Sequence, residues 1–349
     1  MPSLLDLLAV DHPIIQAPMA GTSTPAMAAE VANAGALGSL GVAAMDPAGA
    51  HAAIVAVRER SRRSLNVNVF CHQPAHPDAA VEAAWIERLR PEFERFGAAP
   101  PKALREIYTT FLHDDAMLST LLAEKPKVVS FHLGLPPEER VRALLGAGIV
   151  LFGSATSLDE GRRCVAAGVH AVVAQGYEAG GHRGVFDVEA PDDRLTTVAL
   201  TRLLVRHLPV PVIAAGGIMD GAGIAAVLRL GASAAQLGTA FVACPESQAD
   251  AGHRAALMSN AANHTVMTRA ISGRPARCLA NRFTALTREV APREVPSYPI
   301  AYDAGKALNL AAKAKGETGF GAQWAGQGAP LARCLPAARL VGELVAEMA

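Results

Sequence analysis

The 349-residue sequence predicts an α/β fold, a (β/α)8 TIM barrel carrying a second, smaller, mainly helical domain. Three observations predict it. Eight short apolar runs alternate with helix-forming stretches. No hairpin turn signal joins one run to the next, so parallel strands with helical crossovers are expected. Several runs end in glycine-containing loops, as expected where strands of such a fold present their carboxyl ends to a ligand. The runner-up is an open doubly wound sheet. Against it, the first glycine-rich turn lacks G-x-G-x-x-G and no acidic residue follows at the required distance.

The elements follow in order. Ile14–Met19 is the first run. Thr24 is a candidate N-cap and Pro25 opens the helix that Gly35 ends. Leu37–Gly41 is the second run, and Asp46-Pro47 opens a helix to about Ser61. Leu65–Phe70 alternates Asn66 and Asn68 with Val67 and Val69, a clear strand. Asp78–Phe96 and Lys102–Glu124 read as two inserted helices. Strands are then expected at Val128–Leu133, Val150–Ala155, Ala171–Gly176, Val212–Gly217 and Ala234–Ala240. Between them lie helices at Pro137–Leu145, Leu158–Ala167, Thr196–His207 and Asp220–Leu230. After Cys244 the alternation stops. Pro245–Asn260 and Asp303–Lys315 read as helical, Thr265–Tyr302 shows no clear period, and a last helix spans about Leu331–Met348. The expected division is a barrel over 1–245, completed by 311–349, with 246–310 as a smaller helical domain capping the substrate.

Composition narrows the function. Hydrophobic residues make up 51% of the chain and charged ones 18%, which favours elements buried on both faces. The formal net charge is zero, so a nucleic-acid or anionic-membrane surface is not expected. The five cysteines are scattered and form no C-x-x-C, which argues against a disulfide framework or a zinc site. No apolar run is long enough to span a membrane. The opening MPSLLDLLAVDH lacks a basic segment and does not read as a signal peptide. A cytoplasmic, soluble protein is expected.

The stretch Ala171–Phe186, AVVAQGYEAGGHRGVF, places Gly180, Gly181 and His182 just past a strand end. Glycines there let backbone approach a ligand closely, and a histidine titrating near neutrality suits acid–base work. A glycine-rich turn with a solvated histidine is the plain alternative. Ala215-Gly216-Gly217 and Gln236-Leu237-Gly238-Thr239 follow the seventh and eighth strands, where this fold usually binds phosphate. Bare amides and one hydroxyl can hold a phosphate without a lysine. Asn68 needs partners inside a strand, from a ligand or from neighbouring backbone. For His132 a core position bonded to backbone and a place in the pocket are both open. Tyr298 and Tyr302, four apart, could be one packed helical face, and Lys306 could be a solvated lysine.

PIIQAPMAG, AQGYEAGGHRG and VIAAGGIMDGAGIAAVLRLGASAAQLGTAFVACPES together resemble the nitronate monooxygenases, once called 2-nitropropane dioxygenases. The resemblance runs from Ile14 to about Gln327. The third motif is shared with FMN-dependent enoyl-acyl-carrier-protein reductases and NADH:quinone reductases. SYPIAYDAGK, Ser297–Lys306, resembles the class I monooxygenases and favours them. The resemblance implies FMN held by Ala17, Pro18, Met19, Asn68, Gln175, Gly180, Gly181, Ala215, Gly216, Gly217, Gln236, Leu237, Gly238 and Thr239. It puts His182 at the catalytic position. Tyr298, Tyr302 and Lys306 could hold a nitro group or a carboxylate of the substrate as donors, and His132 is a further candidate there. The resemblance implies oxidation of alkyl nitronates, propionate 3-nitronate among them, by O2 with one-electron transfer to flavin, giving a carbonyl product plus nitrite or nitrate. No pyridine nucleotide, metal, nucleic acid or membrane is then required, and a homodimer is open. An FMN-dependent reductase using NAD(P)H, and a flavin-binding barrel without catalysis, are the alternatives.

Overall fold

Local signals set most elements. In the computed structural model, which describes residues 3–349, Thr24 accepts a hydrogen bond from the Met27 amide and Pro25 fills the first turn of the helix Pro25–Asn33. Asp46, Ser157, Thr196 and Asp220 cap the helices Pro47–Arg58, Leu158–Ala166, Thr197–His207 and Gly221–Arg229 in the same way. Such a cap contributes about 1 kcal/mol, and here each also marks where a loop at a strand's end turns into the next helix.

The apolar runs become strands: β1 Ile14–Gln16, β2 Gly38–Gly41, β3 Leu65–Phe70, β4 Val128–His132, β5 Val150–Ala155 and β6 Ala171–Gln175. They are followed by β7 Gly181–His182, β8 Val212–Ala215 and β9 Ala234–Leu237. All but β7 form one eight-stranded sheet in the order β1-β9-β8-β6-β5-β4-β3-β2. Every pairing in it is parallel. A parallel bridge between Ile15 and Leu37 joins the two ends and closes the barrel. Its strands are buried on both faces, as an all-parallel sheet requires. Ile15, Leu37, Phe152, Val173 and Ile213 share one core cluster. Val67, Val129, Leu151 and Val172 pack in another with residues of the surrounding helices. The helix Ala337–Glu347 returns to lay Leu340, Val341 and Leu344 against the cluster that holds Ile14 and Leu237.

A second core lies beside the barrel. Trp85, Leu89 and Phe93 of the helix Ala79–Arg95 pack with Ile300, Ala304 and Leu308 of the helix Ile300–Lys313. Between these helices in sequence come β10 Thr265–Thr268 and β11 Ala276–Leu279, which pair antiparallel. β11 also pairs antiparallel with β7, Ala276 opposite His182 and Arg277 opposite Gly181. The glycine-histidine segment is therefore the edge of a second sheet rather than a free loop.

Several elements differ from expectation. Lys102–Asp114 is not helical; only Asp115–Glu124 is. The Phe111 amide donates to the Phe70 carbonyl and the Thr110 hydroxyl donates to the His72 carbonyl. These tertiary bonds tie the stretch to the end of β3 and override its helix propensity. Pro245–Asn260 shortens to a helix over Ala251–Leu257, capped by Asp250. The eighth barrel strand ends at Leu237, because Thr239 already begins a short helix. Thr265–Tyr302, which shows no period, contains β10, β11 and the helix Arg282–Leu286. The final helix starts at Ala337, behind Pro336.

Candidate functional site

The barrel strands end around one cavity. Of the residues singled out in the sequence, all line it except Leu237, Tyr298 and Lys306. Leu237 is buried and contributes its carbonyl, which accepts from the Ala17 amide. Phe70, Tyr108 and Trp324 complete the wall. Sequence reasoning attaches no role to Phe70 or Trp324, and places Tyr108 on an inserted helix from which it could lean over the pocket. Trp324 lies in a glycine-rich tail, and Tyr108 in the stretch that only tertiary contact brings to the barrel.

The corners after β8 and β9 are built from backbone. Gly216 and Gly217 have φ of +124° and +71°, a region that favours glycine. Glu178 fastens this corner: its carboxylate accepts from the Thr197 amide at 2.8 Å, and the Thr197 hydroxyl donates to the Gly216 carbonyl at 2.9 Å. The amides of Gly217, Ile218, Gly238 and Thr239 donate to no protein acceptor among the described residues, and all four residues line the cavity. Unpaired amides converging on a cavity suit an anionic group. Gly180 has a different reason to be glycine. A Cβ there would stand 2.5 Å from the Gly326 nitrogen, so two loop backbones press together at that point.

His182 is held from several directions. The Gln175 side-chain amide donates to its carbonyl at 3.0 Å and accepts from the Gly184 amide at 2.7 Å. The His132 ring also meets that carbonyl, at 3.1 Å. A carbonyl only accepts, so His132 Nε2 carries a proton. His132 thus joins both readings made from sequence: its ring bonds backbone and it lines the cavity. The His182 ring meets Ser272 Oγ at 2.9 Å. Aromatic rings surround it, with centroids of Tyr298 and Trp324 each 5.2 Å away and those of Phe70 and Tyr302 at 6.2 and 6.4 Å. Arg183 stitches the loop down, with Nε and Nη2 each 2.9 Å from the Asp192 carboxylate.

Tyr298 sits behind the wall, its buried hydroxyl without a hydrogen-bond partner among the described residues. Lys306 is exposed, its Nζ 4.9 Å from the Tyr108 ring centroid and 5.2 Å from that of Tyr302. Asn68 donates to Ser130 Oγ at 2.9 Å and to its carbonyl at 3.0 Å, so neighbouring groups supply its donors' partners.

Electrostatics here follow from burial. Desolvation first, then the charges of His132, Arg274 and His72, push His182 down to about 3. Burial and Arg274 push His72 down to about 4. Burial, opposed by the bond to the His182 carbonyl, leaves His132 at about 4. Arg274 is itself buried, bonded to the Val185 carbonyl and with no acidic partner in ion-pair range among the described residues. Burial lowers it only to about 10, so it remains a cation. The cavity therefore combines neutral imidazoles with positive potential. Burial holds Tyr108 and Tyr302 above the usual phenol range, so both stay protonated donors.

This makes the fold acid-sensitive in a defined window. The three histidines refuse protons that the unfolded chain accepts near pH 6.5. Stability they contribute is complete above that value and is lost as pH falls toward 4. Each site accounts for at most about 1.4 kcal/mol per pH unit. We expect Tm to fall between pH 6.5 and 4.5, with a shallower fall in His72→Gln. An equal fall in the two proteins would contradict this account. Among the described residues no three His, Cys, Asp or Glu side chains come together as a metal site would need, and no helix is long and apolar enough to cross a membrane. Cys71, Cys164, Cys244 and Cys278 are buried and Cys334 is exposed; all are free.

Comparison with known proteins gives a consistent result. The family profile described as nitronate monooxygenase matches residues 1–347. A nitronate monooxygenase of Paraburkholderia phytofirmans is 62% identical over 346 residues, covering 99% of this chain and 94% of that protein. One from Pseudomonas aeruginosa is 53% identical over 344 residues, covering 98% of this chain and 97% of its own. Among solved structures, the nitroalkane oxidase of Streptomyces ansochromogenes superposes with a TM-score of 0.90 at 39% identity, covering 99% of this chain and 98% of the other.

Proposed function

From a chain that belongs to the nitronate monooxygenase family, we propose an FMN-dependent enzyme that oxidises small alkyl nitronates, propionate 3-nitronate in particular, with O2. One observation carries the reading: unpaired backbone amides after β8 and β9 line the same cavity as the neutral His182. The amides suit the phosphate of a flavin and the imidazole suits acid–base work on a substrate beside it, and the two share one cavity.

The residues fit that cofactor. Gly217, Ile218, Gly238 and Thr239 would hold its phosphate with N–H donors, and Met19, Asn68 and Gln175 would border its ring. When bound, the flavin accepts electrons from the nitronate and hands them to O2. The protein supplies the rest. Phe70, Tyr302 and Trp324 wall the cavity with aromatic surface and limit water. Protonated Tyr108 and Tyr302 can donate to the oxygens of a nitro group or a carboxylate. Arg274 and Lys306 provide the positive potential that draws an anion. In its neutral form His182 can take the α-proton of a neutral nitroalkane. A base held near pKa 3 is weak for that purpose, each unit of mismatch with the carbon acid costing about 1.4 kcal/mol. The substrate expected to turn over fastest is therefore the preformed anion.

The segment 246–310 is read as a cap. It brings Ser272 and Tyr298 against His182 and carries Tyr302 to the cavity. Purified protein should retain FMN and consume O2 with propionate 3-nitronate in the absence of NADH. Uptake that appears only with NADH or NADPH would move the assignment to a reductase, and a colourless protein that refuses FMN would remove it altogether.

A further inference from the structure

The backbone of His182 is fixed by Gln175 and His132, both bonded to its carbonyl, and by the pairing of β7 with β11. What remains undetermined by those contacts is the ring: which way it turns and which nitrogen carries the proton. One side chain settles both. Ser272 is fully buried, and its Oγ lies 2.9 Å from His182 Nε2. It reaches that place on a tight turn, where the Gly273 amide donates to the Arg269 carbonyl at 2.8 Å. Gly273 has φ of +96°, and a Cβ there would stand 2.5 Å from the Tyr298 nitrogen. The turn is thus pressed against the chain at Tyr298, and Ser272 has little freedom to move.

A serine hydroxyl has one proton to give. The carbonyl of buried Arg274 lies 3.4 Å from Ser272 Oγ, and no other donor reaches it among the described residues. If the hydroxyl gives its proton to that carbonyl, Oγ accepts from Nε2–H, and the carbonyl, the hydroxyl and the ring nitrogen are all satisfied. The opposite arrangement leaves a buried carbonyl without a donor, which is disfavoured. No protein group bonds Nδ1 among the described residues, and His182 lines the cavity.

We infer that Ser272 is the positioning residue that holds His182 as the Nε2–H tautomer, leaving the Nδ1 lone pair as the proton acceptor on the cavity side. This rests on the reading of His182 as the acid–base group. Without Ser272 the Nε2–H donor is buried and unpaired, so the ring turns to seek a partner and Nδ1 loses its aim.

The test is nitrogen NMR of protein labelled with 15N-histidine, with His182→Asn identifying the signal. In the unchanged protein the His182 spectrum should show a protonated Nε2 and an unprotonated Nδ1 from pH 5 to 8. In Ser272→Ala that pattern should average or reverse. The kcat/KM for neutral nitroethane should fall about tenfold or more, with a much smaller change for preformed ethyl nitronate and FMN affinity kept, since Ser272 does not line the cavity. Ser272→Thr keeps the hydroxyl and should restore the tautomer and most of the activity. A protonated Nδ1 in the unchanged protein overturns the inference, as does a Ser272→Ala spectrum identical to it. The spectrum is read without turnover, so a protein inert toward nitronates with the expected spectrum would sink the functional reading and leave this assignment standing.

Discussion

Replacing His182 with Asn should cost about a hundredfold or more in kcat/KM on neutral nitroethane while sparing most of the activity on preformed ethyl nitronate. Asparagine retains a polar group of similar reach but offers no nitrogen that accepts a proton. The asymmetry is the informative part. Burial, with the nearby positive charge of Arg274, keeps the imidazole neutral at working pH, so the base form is always present. Only a substrate that still carries its α-proton needs it. Steady-state oxygen uptake on the two forms, each assayed faster than they interconvert, measures the split. Equal losses on both would argue that the ring acts by shape or field rather than as a base. Because the resting pKa is near 3, the nitroethane kcat/KM profile should also lack an inflection near pH 6.5 from this group.

Replacing Gly216 with Val should yield protein that folds but comes off the column without flavin, with FMN affinity reduced about a hundredfold or more. The backbone there has φ of +124°, which a β-branched residue resists by about 1–3 kcal/mol. The new Cβ would also stand 2.7 Å from the Thr197 hydroxyl and 3.1 Å from the Ala179 nitrogen. Relief requires the corner to move, and the corner carries the Gly217 and Ile218 amides assigned to the phosphate. About 2.7 kcal/mol of lost interaction corresponds to the hundredfold change. Gly342 makes a suitable control, since it lies within the helix Ala337–Glu347 and a Cβ there meets nothing within 4 Å. Gly342→Ala should keep FMN binding and raise Tm slightly. FMN titration followed by flavin fluorescence, with circular dichroism as the check on folding, decides the matter. Unchanged affinity in Gly216→Val would mean that the corner does not hold the cofactor.

The two substitutions differ in how visible their logic was in the chain. The glycines at 216 and 217 follow an apolar run, and His182 follows another, so both could be placed at strand ends from spacing alone. The exact use of each residue was less visible. Gln175 stood at the right place, yet its side-chain amide is committed to holding the 182–184 backbone. Tyr298 and Tyr302 are four apart, yet only the second reaches the cavity. Tyr298 precedes the helix Ile300–Lys313, so the two do not share one helical face.

What the sequence determined by itself is whatever depends on near neighbours: the alternation that makes a closed parallel barrel, the caps that start its helices, and the glycine corners and histidine at strand ends. Tertiary structure alone decided that β7 pairs with β11, that the stretch before Asp114 stays non-helical and offers Tyr108, and that Ser272, ninety positions away in the chain, meets the His182 ring. Periodicity and capping are written within a turn or two of helix or strand. A hydrogen bond between distant segments leaves no such local trace, because the packing that creates it involves the whole fold.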